Sequence, residues 1–412
     1  MRLSASCRFV LPLLCLAVLA LVLSGCPKPA APPAPLSSTA RPTNTSPSTA
    51  AAPTGEPIVI GAIFSVTGPG APLGEPEKAS AQMVEKKVND AGGINGRPLK
   101  LVIEDDATEE SKAVLAAKKL IEQDKAVAII GPTMSGPSLA ILDTCNKASI
   151  PLVSCAASAK ITNPVAERKW VFSTAQTDVL AVQRLLDYLK TKQIKNVAII
   201  CDSNAFGQSG AEQLKKQLPT AGIKIADEEK FGTKDTSMTA QLTKIKSAKP
   251  DAVICWGTNP GPAVVAKNAK SLGLTMPLIM SHGIANKKFI ELAADAAEGV
   301  VFPAGKLLVT GELADSDAQK AVLKQYGDDF QAFAQKPGNT FGGHAFDALT
   351  LIVEALKGGA KDAAGIRDAI EKTTKYVGIG GTFNFSATDH NGLTKDAFTL
   401  VTIKGGKWTM VK

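Results

Sequence analysis

The chain predicts an α/β protein of two doubly wound lobes, and three observations carry that expectation. Short β-rich apolar runs alternate with amphipathic helical stretches, the mark of parallel strands covered on both faces. The alternation restarts near Phe172–Thr177, as if a second sheet began there. About 356 residues follow residue 56, more than one core usually organises.

Taken in order, Ile58 to Phe64 reads as a buried strand, followed by a helix over 76–91 that ends at Ala91-Gly92-Gly93. Strand Leu99–Glu104 precedes helix 109–124, strand Ala126–Gly131 precedes helix 136–148, and Ile150–Ser154 closes the first set. The second set runs through helix 177–192, strand Asn196–Cys201, helix 208–219, strand Ile223–Ala226, helix 237–247, strand Ala252–Trp256 and helix 261–271. Strand Leu278–Ser281, helix 286–296 and strand Val300–Phe302 complete it. Helices 316–335, 344–357 and 362–373 and β-like Thr382–Phe385 and Phe398–Ile403 must add to lobes already begun, so the chain crosses between lobes more than once. Ligands of open α/β sheets sit beyond the carboxyl ends of the strands, and two such edges facing each other make an interlobe cleft.

Residues 1–25 read as a signal peptide. Arg2 and Arg8 precede an apolar run, Leu11 to Leu23, too short to span a bilayer. The run ends Leu23-Ser24-Gly25-Cys26, which resembles the bacterial lipobox and makes Cys26 the expected lipid-bearing thiol. Residues 26–56, rich in Pro, Ala, Ser and Thr, offer nothing large to bury and read as an extended tether. Membrane attachment is therefore expected through the lipid alone.

The formal charge of +8, which falls by two when Arg2 and Arg8 leave, is spread over lysines interspersed with Glu, Asp and Gln on helical faces. That is the pattern of solvated faces, and no nucleic-acid partner is expected. Cys145, Cys155, Cys201 and Cys255 show no CxxC spacing and no neighbouring His. Buried thiols are the simpler reading, although Cys201 and Cys255 each close an apolar run and a disulfide between neighbouring strand ends stays open. The three histidines, His282, His344 and His390, are far apart, and no zinc-protease, serine-hydrolase or P-loop signature occurs. Gly68, Gly70 and Gly74 are spaced loosely like a nucleotide loop, but Pro69 and Pro72 spoil the amide cradle. Glu104, Asp105 and Asp106 read as capping and solvent-exposed acids. No cofactor, no metal and no enzymatic activity are expected.

Several short segments in fixed order resemble the type I periplasmic binding proteins, in particular the leucine/isoleucine/valine-binding family. They are Gly61-Ala62-Ile63 with Thr67-Gly68-Pro69, Ala91-Gly92-Gly93-Ile94-Asn95-Gly96-Arg97-Pro98-Leu99, Glu104-Asp105-Asp106, Ile130-Gly131-Pro132, Phe206-Gly207 and Asp295-Ala296-Ala297-Glu298-Gly299-Val300. The resemblance covers residues 57 to 412. It implies two lobes joined by a three-crossing hinge, lobe 1 from 57–176 and 306–394 and lobe 2 from 177–305 and 395–412. It also implies a small-molecule ligand, a branched-chain or other hydrophobic amino acid or, alternatively, an amine-free aromatic or aliphatic carboxylate, delivered to an ABC permease or, in a sensor module, reported to a signalling partner.

By position in that family, Ser135 in the loop Thr133-Met134-Ser135-Gly136 is expected to hydrogen-bond a ligand carboxylate. The Ala156 carbonyl, the Ser158 hydroxyl and nearby backbone amides such as that of Ala157 are expected to grip the polar end of the ligand. Phe206 and Phe341 match aromatic lining positions, while Leu73 and Thr258 stand where several members are aromatic. His282 falls where amino-acid-binding members tend to carry an acid for the ligand ammonium. A neutral imidazole pairs less strongly with a cation, which brings amine-free carboxylates into contention.

Overall fold

The computed structural model describes residues 52–411. The expected signal peptide, Cys26 and the tether up to residue 51 lie outside the described residues. Continuous β-branched and apolar runs become parallel strands, and the amphipathic stretches between them become covering helices. β1 (Ile58–Phe64), β2 (Leu99–Asp105), β3 (Ile129–Ile130), β4 (Leu152–Ser154) and β5 (Val171–Ser173) form a five-stranded parallel sheet in the order β2-β1-β3-β4-β5. Helices α1 (Ala71–Asp90), α2 (Glu110–Glu122) and α3 (Ser135–Ala148) connect its strands.

The chain then passes through 174–177 to α4 (Asp178–Thr191) and a second sheet. β6 (Asn196–Asp202), α5 (Ala205–Gln217), β7 (Lys224–Phe231), α6 (Thr239–Ala248), β8 (Ala252–Trp256), α7 (Gly261–Ser271), β9 (Leu278–Met280), α8 (Lys287–Ala293) and β10 (Val301–Gly305) follow. After a 3-10 segment, Lys306–Glu312, helices α9 (Lys320–Ala334), α10 (Thr340–Lys357) and α11 (Ala363–Glu371) run on, and α10 packs on α1 of the first lobe. β11 (Tyr376–Val377) and β12 (Thr382–Phe383) form a small antiparallel pair. The chain finally returns to the second sheet with β13 (Phe398–Lys404) and β14 (Lys407–Met410). That sheet has seven strands in the order β14-β13-β10-β9-β8-β6-β7, antiparallel only at β13 and β14. Each sheet carries a buried apolar cluster on both faces, so both lobes are doubly wound as expected.

Three crossings therefore join the lobes, and a buried polar network ties them together. In the first crossing Gln176 Nε2 donates to the Gly380 carbonyl (2.7 Å), and its Oε1 lies 3.1 Å from His344 Nε2 on α10. Asn391, before the third, donates to the carbonyls of Ser173 and Ala175 (3.2 and 2.9 Å). Asp347, fully buried on α10, accepts the amides of Ile379 and Gly380 (2.9 and 2.7 Å).

Several elements differ from expectation. α1 starts at Ala71, not 76, because Pro72 falls in the first turn, where no intrahelical N–H is needed. Gly74 makes this entry possible: a Cβ there would lie 2.2 Å from the Ser65 carbonyl oxygen. β7 extends to Phe231 through the polar Asp227-Glu228-Glu229, since an edge strand needs no apolar run on its open side. Asp106 is not solvent-exposed but fully buried, accepting the Ser65 hydroxyl (2.6 Å) and the Thr108 amide. Its neighbour Asp105 accepts the amides of Val66 and Thr67 and the Thr67 hydroxyl, so the pair braces the loop after β1.

The four described cysteines are buried thiols. Cys201 stands opposite Trp256, and Cys255 opposite Ile200, in the β6–β8 register. Being one step apart, the two sulfurs point to opposite faces of the sheet and into different apolar clusters.

Candidate functional site

The carboxyl ends of the two sheets face each other, and the loops leaving them build a small cavity between the lobes. From the first lobe come Thr133, Met134 and Ser135 after β3, Cys155, Ala156 and Ala157 after β4, Leu73 on α1 and Phe341 on α10. From the second come Phe206 on α5, Thr258 after β8, and His282 and Gly283 after β9. Eight of the nine residues expected to contact ligand thus line one cavity, from positions up to 268 apart in sequence, Leu73 to Phe341.

Local chemistry explains each placement. Ser135 opens α3, whose preceding residue, Met134, supplies no side-chain cap. The first-turn amides of Ser135 and Gly136 have no intrahelical acceptor, and Pro137 has no N–H at all. Those amides, the helix dipole and the buried Ser135 hydroxyl give this end of the cavity a positive polarity. Phe206 is set by the Asn204 cap on α5, whose side chain accepts the Gly207 amide (2.9 Å). His282 begins a 3-10 turn held by Ser281, whose hydroxyl donates to the Gly257 carbonyl (2.9 Å) and so joins the loops after β8 and β9.

Leu73, Met134 and Phe341 belong to the first lobe yet pack with the apolar core of the second, so the lobes are drawn together. The inner cavity is only about 30 Å³, room for the centres of one or two waters. Through Met134, Ser135, Phe206 and Thr258 it continues into a wider vestibule of about 640 Å³ between the lobes, lined also by Gly68, Thr108 and Asn204.

Two groups stand out electrostatically. His282 is 6% exposed and surrounded by Phe206, Trp256 and Phe398, with ring centroids 5.3, 5.9 and 5.3 Å away. Neither of its nitrogens has a hydrogen-bond partner. Burial, with a smaller contribution from His344, lowers its pKa to about 3, so it is neutral at physiological pH. Behind Thr133, the Glu77 carboxylate accepts the threonine hydroxyl, while Thr133 Oγ1 accepts the Ser65 amide (2.9 Å). Burial raises the Glu77 pKa well above the usual carboxylate range. No Asp, Glu, Lys or Arg lines the cavity itself.

Ser158 is the expected contact that the cavity does not include. Its hydroxyl is 2.8 Å from Ser209 Oγ on α5, across the lobe boundary, and Ser209 in turn donates to Asp178. Lys160 pairs with Glu212 alongside it. The Ala156 carbonyl already accepts the Ser173 hydroxyl (3.1 Å). Ser158→Ala is therefore expected to remove an interlobe contact and to weaken every ligand by the same factor, about 2- to 10-fold from the loss of one hydrogen bond. Titration with two chemically different ligands checks this, and an effect confined to one of them would show direct contact instead.

Thr133, Met134, Cys155 and Gly283 are not among the expected contacts, although all four lie beside residues that are. Their adjacency in the sequence was the available signal. The Glu77 contact had none, because Glu77 reads as an ordinary helical acid.

Two facing α/β lobes, three connections and a mostly apolar cavity between them define a protein that encloses a small molecule. Residues 57–407 match the family model described as "Periplasmic binding protein", and the chain belongs to that family. As a solute-binding protein of this family it is an exported, periplasmic-type protein, and no described helix is long and apolar enough to cross a membrane. It is 28% identical over 352 residues to the Leu/Ile/Val-binding protein BraC3 of Rhizobium johnstonii, covering 85% of this chain and 92% of the relative. It is also 28% identical to a leucine-, isoleucine-, valine-, threonine- and alanine-binding protein of Pseudomonas aeruginosa, covering 77% and 83%. Among solved structures, an extracellular ligand-binding receptor from Rhodopseudomonas palustris HaA2 superposes with a TM-score of 0.81 at 27% identity, covering 87% of this chain and all of that one. The branched-chain amino acid transporter substrate-binding protein LivJ of Streptococcus pneumoniae, in complex with isoleucine, gives 0.76 at 26%, covering 86% and 98%.

Proposed function

We propose that the chain is the substrate-binding component of an ABC importer for a small hydrophobic ligand bearing a carboxylate, of the kind represented by branched-chain amino acids. The carrying observation is the small interlobe cavity, with an uncapped helix N-terminus and the Ser135 hydroxyl at one end and apolar walls from Leu73, Met134, Phe206 and Phe341. The relatives named for leucine, isoleucine and valine support the same reading.

In this mechanism the first lobe takes the carboxylate at the start of α3, and the second lobe closes over the apolar body by bending the three crossings. Because the cavity is so small, the lobes must part to admit a ligand of several heavy atoms. The closed form then presents a composite surface of both lobes to a permease. No bond is made or broken in the ligand. A lipid on Cys26 and the Pro-rich segment behind it would hold the lobes near the membrane while letting them search for the permease.

Thermal melting of the purified protein against amino acids and organic carboxylates tests the proposal. A ligand at a thousand times its Kd adds about 4 kcal/mol, roughly a 5 °C rise for a body of this size. The expected result is such a shift with at least one hydrophobic amino acid or carboxylate and no consumption of the ligand. Absence of any shift, or turnover of the ligand, would overturn it.

A further inference from the structure

Resting on the proposed carboxylate-binding function, the composition of the cavity narrows the ligand further. We infer that the ligand is a monocarboxylate with no ammonium group, and that His282 hydrogen-bonds an uncharged keto or hydroxyl oxygen where an amino acid would carry its amine.

The first argument is what the cavity lacks. An α-amino acid brings an ammonium with three N–H donors into a closed, low-dielectric space. Burying such an ion costs several kcal/mol unless a carboxylate pairs with it. No carboxylate lines the cavity. Glu77 is behind Thr133 in the first lobe, at the end where the ligand carboxylate would sit; one of its oxygens accepts the Thr133 hydroxyl, the other is buried without a partner, and the residue does not reach the cavity lining. Glu109 and Glu110 line only the vestibule, are exposed, and belong to that same end, where Glu110 approaches Gly136.

The second argument is what the cavity offers. His282 sits on the second lobe, opposite the start of α3, with both ring nitrogens unpartnered and more than nine-tenths buried. A buried polar group without a partner is destabilising, and a ligand atom that bonds it recovers the loss. Neutral imidazole has one donor and one acceptor, and that pair suits a hydroxyl, or a keto oxygen through the donor alone. A dicarboxylate fits poorly, since no Lys or Arg is present to receive a second charge. One anionic end, an apolar body and one neutral oxygen complete the match.

Matched pairs of probes separate this inference from the reading beneath it. Calorimetric titration of the protein would compare L-leucine with 4-methyl-2-oxopentanoate and 2-hydroxy-4-methylpentanoate, and L-phenylalanine with 3-phenyl-2-oxopropanoate. The inference expects an oxo or hydroxy acid to bind at least tenfold more tightly than the amino acid of the same skeleton. It also expects His282→Glu to reverse that order, by supplying the missing acid and repelling a second oxygen. Tighter binding of the amino acids would overturn the inference while leaving the importer function in place. Binding by none of the probes at millimolar concentration would overturn both.

Discussion

Replacing His282 with phenylalanine is expected to make the protein more stable, and increasingly so as the pH falls. The imidazole makes no hydrogen bond and lies among Phe206, Trp256 and Phe398, so a phenyl ring of similar shape fits the same aromatic surroundings. Removing a buried unpartnered polar group should gain about 1–3 kcal/mol at pH 7. The pH dependence follows from linkage. In the unfolded chain the imidazole protonates near its ordinary value of 6.5, whereas in the fold it stays neutral down to about 3. The unfolded state therefore binds more protons throughout that window, and stability is lost as pH drops from 6.5 toward 3. Between pH 7 and pH 5 this amounts to about 2 kcal/mol for a single such histidine.

His344, with its pKa lowered to about 4 by burial, acts in the same direction. Asp347, raised by burial to about 7, and Asp178, raised to about 6, act in the opposite direction, because the fold holds their protons more tightly than the unfolded chain does. The wild-type profile sums these opposing groups, so the informative quantity is the difference between variant and wild type in denaturant melts at the two pH values. A difference that stays constant would show that His282 titrates in the fold as it does in the unfolded chain, contrary to its burial. A variant less stable than wild type at pH 7 would show that the nitrogens are satisfied in solution. A site residue whose loss stabilises the fold is what a group reserved for a ligand should look like.

The largest loss is expected from Gly131→Ala. Gly131 follows β3 with φ +84°, a region costing an L-residue about 1–2 kcal/mol, and a Cβ there would lie 2.0 Å from the Ile63 carbonyl oxygen on β1. That oxygen belongs to β1, an interior strand paired on both sides by β2 and β3, and cannot retreat without disturbing its neighbours. Strain and collision together should destabilise by about 3–5 kcal/mol. The substitution should also shift Thr133, Met134 and Ser135, which leave the strand directly after it, and so weaken binding more than stability alone explains. Equilibrium unfolding at a ligand-free reference pH measures the first effect. A loss below 1 kcal/mol would mean that the β1 and β3 ends yield easily, contrary to their burial.

How much of this was legible beforehand differs by element. The central strands Ile58–Phe64 and Ala252–Trp256 carry unbroken apolar runs, which in a doubly wound sheet are obligatory, and their ends match the reading closely. The expected start of α1 at 76 falls a turn late, since Pro72 in the first turn replaces no needed N–H and the helix also carries Pro76 within it. The exposed reading of Asp106 failed for a related reason. A carboxylate at a strand end is ordinarily solvated, and only the returning loop with Ser65 and Thr108 encloses it. β14 was not anticipated, since Lys407–Met410 is short, partly polar and paired only through β13.

By itself the sequence determined the alternation of strand and helix, the restart that makes two lobes, and the short segments whose order shows the family. These are local or near-local properties, written in periodicity and in fixed turns. Tertiary structure alone decided that Leu73, Ser135, Phe206, His282 and Phe341 meet in one cavity, that Ser158 turns instead to Ser209, and that His282 has no partner. Each of those depends on distances between residues tens to hundreds of positions apart, and on what burial does to a charge. No local pattern encodes either, because both arise only when the two sheet edges face each other.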